Sequence, residues 1–221
     1  MTDARDRILA RLRQARALSA AHPAPEGEDD AGWLARQPPI ADPAARFIAE
    51  QQAVGGEVRP VVSWEALPEV VVPWLAEHGV RSVITGAEPR LEHLRTRLAD
   101  NGSFALHRYE RPLEQQREEL FSVDCGITTT RGAIADTGSV ILVPTAEEPR
   151  LLSLAVTVHL AVVERSALHP TLAAFIASGA YQRELPANLV LVSGASRTAD
   201  IELILAMGVH GPRVFLVALI G

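Results

Sequence analysis

The chain reads as an α/β protein: an αβα sandwich built on a mostly parallel sheet, with an N-terminal helical arm. Three observations predict this. From Pro43 onward, short apolar runs alternate with segments whose apolar residues recur every three or four positions. Glycines follow several of the periodic segments, as at Gly55-Gly56 and Gly79, which is how helices commonly stop. Runs such as NLVLV and VFLVALIG carry no charge, as strands covered on both faces do.

Each element follows from its residues. Asp3 to Ala20 is predicted as a helix on which Ile8, Leu12 and Ala15 share one face, with Arg5, Arg7, Arg11, Arg13 and Arg16 around it. Asp3 and Asp6 argue against a transit peptide, and a secretory apolar core is missing. The arm is read as a surface for a partner or for a second copy, a homo-oligomer contact; a frayed terminus is the alternative. His22 to Pro43 turns to Pro, Gly, Asp and Glu, so residues 1–42 are taken as arm and linker and 43–221 as the folded domain.

Within that domain, helices are expected at Pro43–Val54, Leu67–His78, Arg90–Ala99, Leu113–Leu120, Thr171–Ala177 and Asp200–Met207. Strands are expected at Val58–Ser63, Val80–Gly86, Thr157–Val163, Leu189–Ser193 and Val214–Leu219. The segment from Val123 to Pro144 holds a Thr-Gly turn between apolar runs, the signature of a hairpin inserted into the parallel pattern.

Composition narrows the function. With 221 residues, 48% hydrophobic, 22% charged and a net charge of −6, the chain describes a globular domain without a nucleic-acid footprint. No run reaches the roughly 18 apolar residues of a membrane span, and a cytoplasmic protein is expected. Cys125 is the only cysteine, so an intrachain disulfide and a four-thiolate cluster are excluded; it is read as a buried structural thiol. The seven histidines show no HExxH spacing, and no metal site is expected. His159 is read as a hydrogen-bonded core or strand-edge residue. Glu164, at a strand end, is read as a solvated charge, paired with Arg165 or free.

Two polar clusters stand out. Ser193, Gly194, Ser196, Arg197 and Thr198 lead into Asp200 and Glu202, and a His210-Gly211-Pro212 turn follows. Read as a strand-to-helix loop, this stretch would aim a helix start at an anion. The competing reading is an ordinary N-cap with first-turn acids, which leaves Arg197 in need of a negative partner. The second cluster, Gly126 to Val140, offers Thr128 to Thr130, Arg131, Asp136 and the Thr137-Gly138-Ser139 turn; strand and turn chemistry explains much of it.

GAIADTGSVILVP followed by SGASRTADIELILAMGVHGP resembles the LUD domain of lactate-utilisation proteins, and most of all the small cluster-free LutC-type subunit. The resemblance runs from about Arg46 to the C-terminus. It implies a NagB/RpiA/CoA-transferase-like fold and participation in the oxidation of L-lactate to pyruvate beside iron–sulfur partner proteins, LutA-like and LutB-like. No cofactor is expected on this chain itself, the clusters belonging to the partners. By motif position the resemblance implies ligand-binding roles for Thr137, Gly138, Ser193, Gly194, Ser196, Arg197, Thr198 and Glu202, with Asp200 and His210 handling a proton and a small carboxylate as ligand. A free-standing acyl-CoA transferase or a ligase, and a non-catalytic assembly subunit, are the alternatives; no GxGxxG or GxxxxGK[ST] loop is present.

Overall fold

The computed structural model describes residues 4–21, 39–179, 186–199, 205–208 and 210–221. Its contacts divide the chain into units 1–38 and 39–221. In the first, α1 (Ala4–Ala21) is a helix with Ile8 and Leu12 exposed. No described helix is long and apolar enough to cross a membrane.

The larger unit opens with α2 (Pro43–Ala53), which starts because Pro43 sits at its first turn and the Asp42 carboxylate accepts the N–H groups of Ala44 and Ala45, both at 3.0 Å. Ala44, Phe47 and Gln51 form its buried face. After Gly55, β1 (Glu57–Val61) tolerates Pro60 because it is an edge strand. In α3 (Leu67–Glu77), Leu67, Val71, Trp74 and Leu75 share the inner face. Then come β2 (Ser82–Thr85), α4 (Glu92–Asn101), β3 (Ala105–Arg108), α5 (Leu113–Ser122) and β4 (Cys125–Thr129). The hairpin β5 (Gly132–Ile134) and β6 (Ser139–Leu142) pairs antiparallel, as its turn chemistry predicts. The remainder is α6 (Leu151–Leu154), β7 (Val158–Glu164), β8 (Leu168–His169), α7 (Leu172–Ala177), β9 (Val190–Val192), β10 (Arg197–Ala199), β11 (Leu205–Met207) and β12 (Val214–Ile220).

Six strands form a sheet in the order β1-β12-β7-β4-β2-β3, every neighbouring pair parallel. Alternation along β12 sorts its two faces. Leu216, Ala218 and Ile220 join the core under α3 and α4, with Val83, Ile127 and Leu160. Phe215, Val217 and Leu219 pack on the other side with Phe47 of α2 and Ala133, Val140 and Leu142 of a second sheet. That sheet runs β8-β5-β6-β9. Farther along the same face, Ile84 meets Leu120 of α5 and Leu152 of α6. Helices thus flank both faces, the expected α/β architecture. Full burial of each Leu, Ile or Phe contributes about 1.5–3 kcal/mol.

Two expectations are corrected. The run Leu189–Ser193 does not join the parallel sheet; β9 pairs antiparallel with β6 in the second sheet. The helix expected over Asp200–Met207 is not formed at its C-terminal end, where β11 pairs antiparallel with β10; residues 200–204 lie outside the described ones. A short apolar run such as LILAM fits a strand as well as a helix, and the long-range backbone bond from Gly208 N–H to the Ser196 carbonyl (2.9 Å) continues the hairpin. Strand β3, with exposed ends and only Leu106 and His107 half-buried, has no apolar run to announce it.

The order of strands creates one reversal. From β2 the chain moves outward to β3; it then returns to β4 and continues inward through β7 to β12. The ends of β2 and β4, side by side, send their connections in opposite directions. Such a switch point opens a crevice beyond the carboxyl ends of the strands.

His159 of β7 is a core histidine. Its Nε2 meets the Thr128 hydroxyl at 2.9 Å, its ring centroid lies 5.2 Å from that of Phe215, and its buried Nδ1 has no partner among the described residues. Burial pushes its pKa down to about 3. In the unfolded chain the ring titrates near 6.5. Between those values the unfolded state therefore binds more protons than the folded one, and stability falls as pH falls, by up to about 1.4 kcal/mol per pH unit. Urea midpoints measured from pH 7 to pH 4 are expected to drop more steeply for the parent protein than for His159→Leu, which has no proton to gain.

Candidate functional site

The crevice at the switch point is a cleft of about 330 Å³ lined by the segments that follow β2 (Ala87 to Arg90) and β4 (Thr129 to Arg131), and by Val143, Thr145, Glu147 and Glu148 from the loop after β6. Its floor depends on Gly86. A Cβ there would lie 2.2 Å from the Glu147 carbonyl oxygen and 2.6 Å from Glu148 Cγ, so only glycine lets the loop reach the end of β2. The Ala87 N–H then donates to the Glu147 carbonyl at 3.1 Å. Thr145 folds the loop locally, its hydroxyl accepting the N–H groups of Glu147 (3.2 Å) and Glu148 (3.0 Å). From below, the buried guanidinium of Arg95 in α4 donates to the carbonyls of Gly86 and Glu88, each at 3.1 Å.

Within this frame the charged groups have distinct situations. Arg90 donates to Glu88 (3.0 Å) and to Glu164 (2.6 Å) and lies over the Trp64 ring at 5.0 Å. Glu164 therefore pairs with Arg90, a residue 74 positions earlier, rather than with Arg165. Arg131 is exposed on the cleft wall and makes no ion pair among the described residues. Glu148 is half-buried. The Thr129 N–H donates to its Oε1 at 3.0 Å and the Thr129 hydroxyl to its Oε2. Burial pushes the Glu148 carboxyl above the usual range and Glu88 adds to this; the Thr129 hydrogen bonds and Arg90 oppose it without cancelling it. A desolvated carboxyl set in a cleft at a switch point makes this the candidate functional site on physical grounds.

The three threonines separate. Thr128 meets His159 in the core, Thr129 holds Glu148, and the Thr130 hydroxyl donates to the Val162 carbonyl at 3.0 Å. Thr129, Thr130 and Arg131 thus reach the cleft, while Asp136 lies beyond β5, its N–H donating to the Pro170 carbonyl at 3.1 Å. Cys125 is fully buried, and burial pushes its thiol up, keeping it protonated.

The residues singled out by motif gather elsewhere. Thr137, Ser139 and Ser193 share a chain of hydroxyl contacts, each 2.7 Å. Gly138, at φ 61°, sits so close to α2 that a Cβ would lie 2.8 Å from Glu50 Cβ, and the Gln51 amide donates to its carbonyl. Gly194 packs on Val54, and Arg197 donates to the Val54 carbonyl. Ser196 N–H bonds the Pro212 carbonyl at 2.8 Å. All of these lie around the end of α2 and the start of β12, at the amino edge of the parallel sheet, opposite the cleft. His210, exposed, lines a separate depression of about 630 Å³ at that edge with Phe121, Leu154 and Arg213. Thr198 is in β10; Asp200 and Glu202 lie outside the described residues.

This geometry answers the question that Arg197 raised. It does not sit at a helix start: its guanidinium caps the carboxyl end of α2, where a cation meets the negative pole of the helix. The cleft, by contrast, was only half visible in the sequence. Arg131 and the threonines belonged to a recognisable cluster, but Arg90 and Glu148 did not. The signal available for Glu148 was a Thr-Ala-Glu-Glu-Pro turn directly after a buried strand.

A sequence model described as the LUD domain matches residues 44–220. The chain belongs to the LUD-domain family. An uncharacterised protein of Neisseria meningitidis serogroup B is 30% identical over 95% of this chain and 90% of its own length. Lactate utilization protein C of Halalkalibacterium halodurans is 29% identical over 67% of this chain and 66% of that protein. The protein of the same name from Deinococcus radiodurans is 36% identical over 47% of this chain and 49% of its own. A crystal structure of a DUF162 family protein from Deinococcus radiodurans superposes with a TM-score of 0.64 at 26% identity, covering 83% of this chain and all of the other. The LUD chain is thus similar to proteins named for lactate utilisation.

Two substitutions separate the two edges of this LUD domain. Gly86→Ala is expected to cost about 1–3 kcal/mol in urea unfolding by forcing the Glu147-Glu148 turn off β2. Arg197→Ala is expected to cost about 1 kcal/mol, the value of a helix-end hydrogen bond, in the same measurement.

Proposed function

We propose that this LUD protein is the cluster-free subunit of a cytoplasmic system that oxidises L-lactate to pyruvate, working with iron–sulfur partners of the LutA and LutB type, and that the switch-point cleft binds a small carboxylate. The family match and the relatives named lactate utilization protein C support the first half. With one cysteine, the chain lacks the thiolates to carry a cluster of its own, so electron transfer through clusters falls to the partners.

Arg131 carries the second half. It is a guanidinium without an ion-pair partner among the described residues, on the wall of a cleft whose other cation, Arg90, is already paired with Glu88 and Glu164. A carboxylate entering the cleft would find in Arg131 a fixed fork of donors. Thr145, whose hydroxyl oxygen already accepts two N–H groups, still has its own proton to donate. The cleft orients the anion and limits its size.

A second reading has its own observation. Ile8 and Leu12 are exposed on one face of α1, which suits a non-catalytic assembly subunit whose arm docks the partners, the polar loop being chiefly a structural network. Deleting residues 1–20 would then abolish co-purification of the partners.

The proposal is tested by growth of a deletion strain on L-lactate as sole carbon source, in a background without another lactate dehydrogenase. The intact gene should restore growth, and Arg131→Ala at equal protein level should lower the lactate oxidation rate roughly tenfold or more. If Arg131→Ala restores full growth while a stably folded Arg197→Ala does not, the functional site lies at the amino edge instead.

A further inference from the structure

The lining of the cleft poses an electrostatic problem. It holds three carboxylates, Glu88, Glu147 and Glu148, against two guanidinium groups, Arg90 and Arg131. If all are ionised, an incoming carboxylate adds a fourth negative charge to a space with two positive ones. Arg90 gives little relief, since Glu88 and Glu164 already neutralise it. One carboxyl must be neutral for an anion to bind well.

Geometry selects Glu148. Glu147 is exposed to solvent, and Glu88 is bonded to Arg90, which, against the effect of burial, holds its carboxyl below the usual range. Glu148 has no ion-pair partner among the described residues. Its Cγ is pressed against Gly86, and both its oxygens are engaged by Thr129. The charged groups around it are Glu88 and Arg90 after β2, Arg131 after β4, Glu147 and Arg150 on its own loop, Arg95 of α4 under Gly86 with its partner Glu92, and Glu164 beyond Arg90.

We propose that the cleft binds its carboxylate ligand only together with a proton held by Glu148, with the Thr129 hydroxyl linking that proton to the ligand. This rests on the reading of the cleft as a carboxylate site. The proton comes from solvent and forms one O–H bond, on Oε2. The Thr129 N–H continues to donate to Oε1. The Thr129 hydroxyl, whose O–H donates to an ionised Glu148, accepts through its oxygen from a protonated one and turns its own proton into the cleft. Protonating Glu148 thus removes one negative charge and presents one donor in a single event. With Arg131 on the carboxylate and Thr129 on a second oxygen, the ligand class is a small acid bearing a neighbouring hydroxyl or keto oxygen.

The test is calorimetric titration of the full-length protein with pyruvate and, separately, L-lactate from pH 5 to pH 8.5. Binding of either anion should weaken towards tenfold per pH unit once Glu148 ionises. Glu148→Gln, permanently neutral and still a donor, should bind with a Kd independent of pH and close to the parent's low-pH value. Thr129→Val should weaken binding at every pH. Binding by the parent protein with a Kd unchanged across the range would overturn the role of Glu148 and leave the carboxylate site standing. No binding of either anion at any pH would remove the carboxylate site and the proposal with it.

Discussion

A missing side chain at Gly86 is what the cleft depends on most. Because there is no Cβ, the Glu147 carbonyl can approach the end of β2 and bond the Ala87 N–H, which carries the loop after β6 across the gap between β2 and β4. That crossing buries Glu148 against Thr129 and defines one wall of the cleft. Arg95 secures the same segment from the helix layer through the Gly86 and Glu88 carbonyls. A crevice that topology provides in outline is thereby given a floor, a rim and a perturbed carboxyl.

The charges of the domain divide by edge of the sheet. At the amino edge, Arg197 completes the end of α2, and the Thr137-Ser139-Ser193 hydroxyls satisfy one another. At the carboxyl edge, Arg131 keeps no ion-pair partner among the described residues, and Glu148 is held by hydroxyl and amide rather than by a cation. Unspent polar groups of this kind are what a ligand can use. Buried groups between the edges, His159 and Cys125, are kept neutral by desolvation and belong to the core.

Local chemistry was legible in the sequence and long-range contact was not. The parallel alternation, the Asp42-Pro43 helix start and the turn at Thr137-Gly138 each rest on residues close in the chain, and each was readable. Arg197 was recognised as a cation in need of a negative partner, yet that partner is a helix-end carbonyl 143 residues earlier. Leu205–Met207 was assigned to a helix because a brief apolar run carries no period long enough to decide. Glu148 went unnoticed since nothing near it in sequence reports that Gly86 and Thr129 will bury it. The family signatures AIADTGS and SRTADIE identified the domain correctly, while their described residues gather at the edge opposite the cleft.

Ligand binding at the β2–β4 switch point is open to amide chemical-shift mapping of the labelled protein titrated with pyruvate at pH 5.5. Shifts are expected to concentrate at Ala87, Thr129, Thr130, Arg131 and Glu148. Shifts confined to Ser193–Arg197 and Gly208–Arg213, with the cleft unmoved, would contradict it.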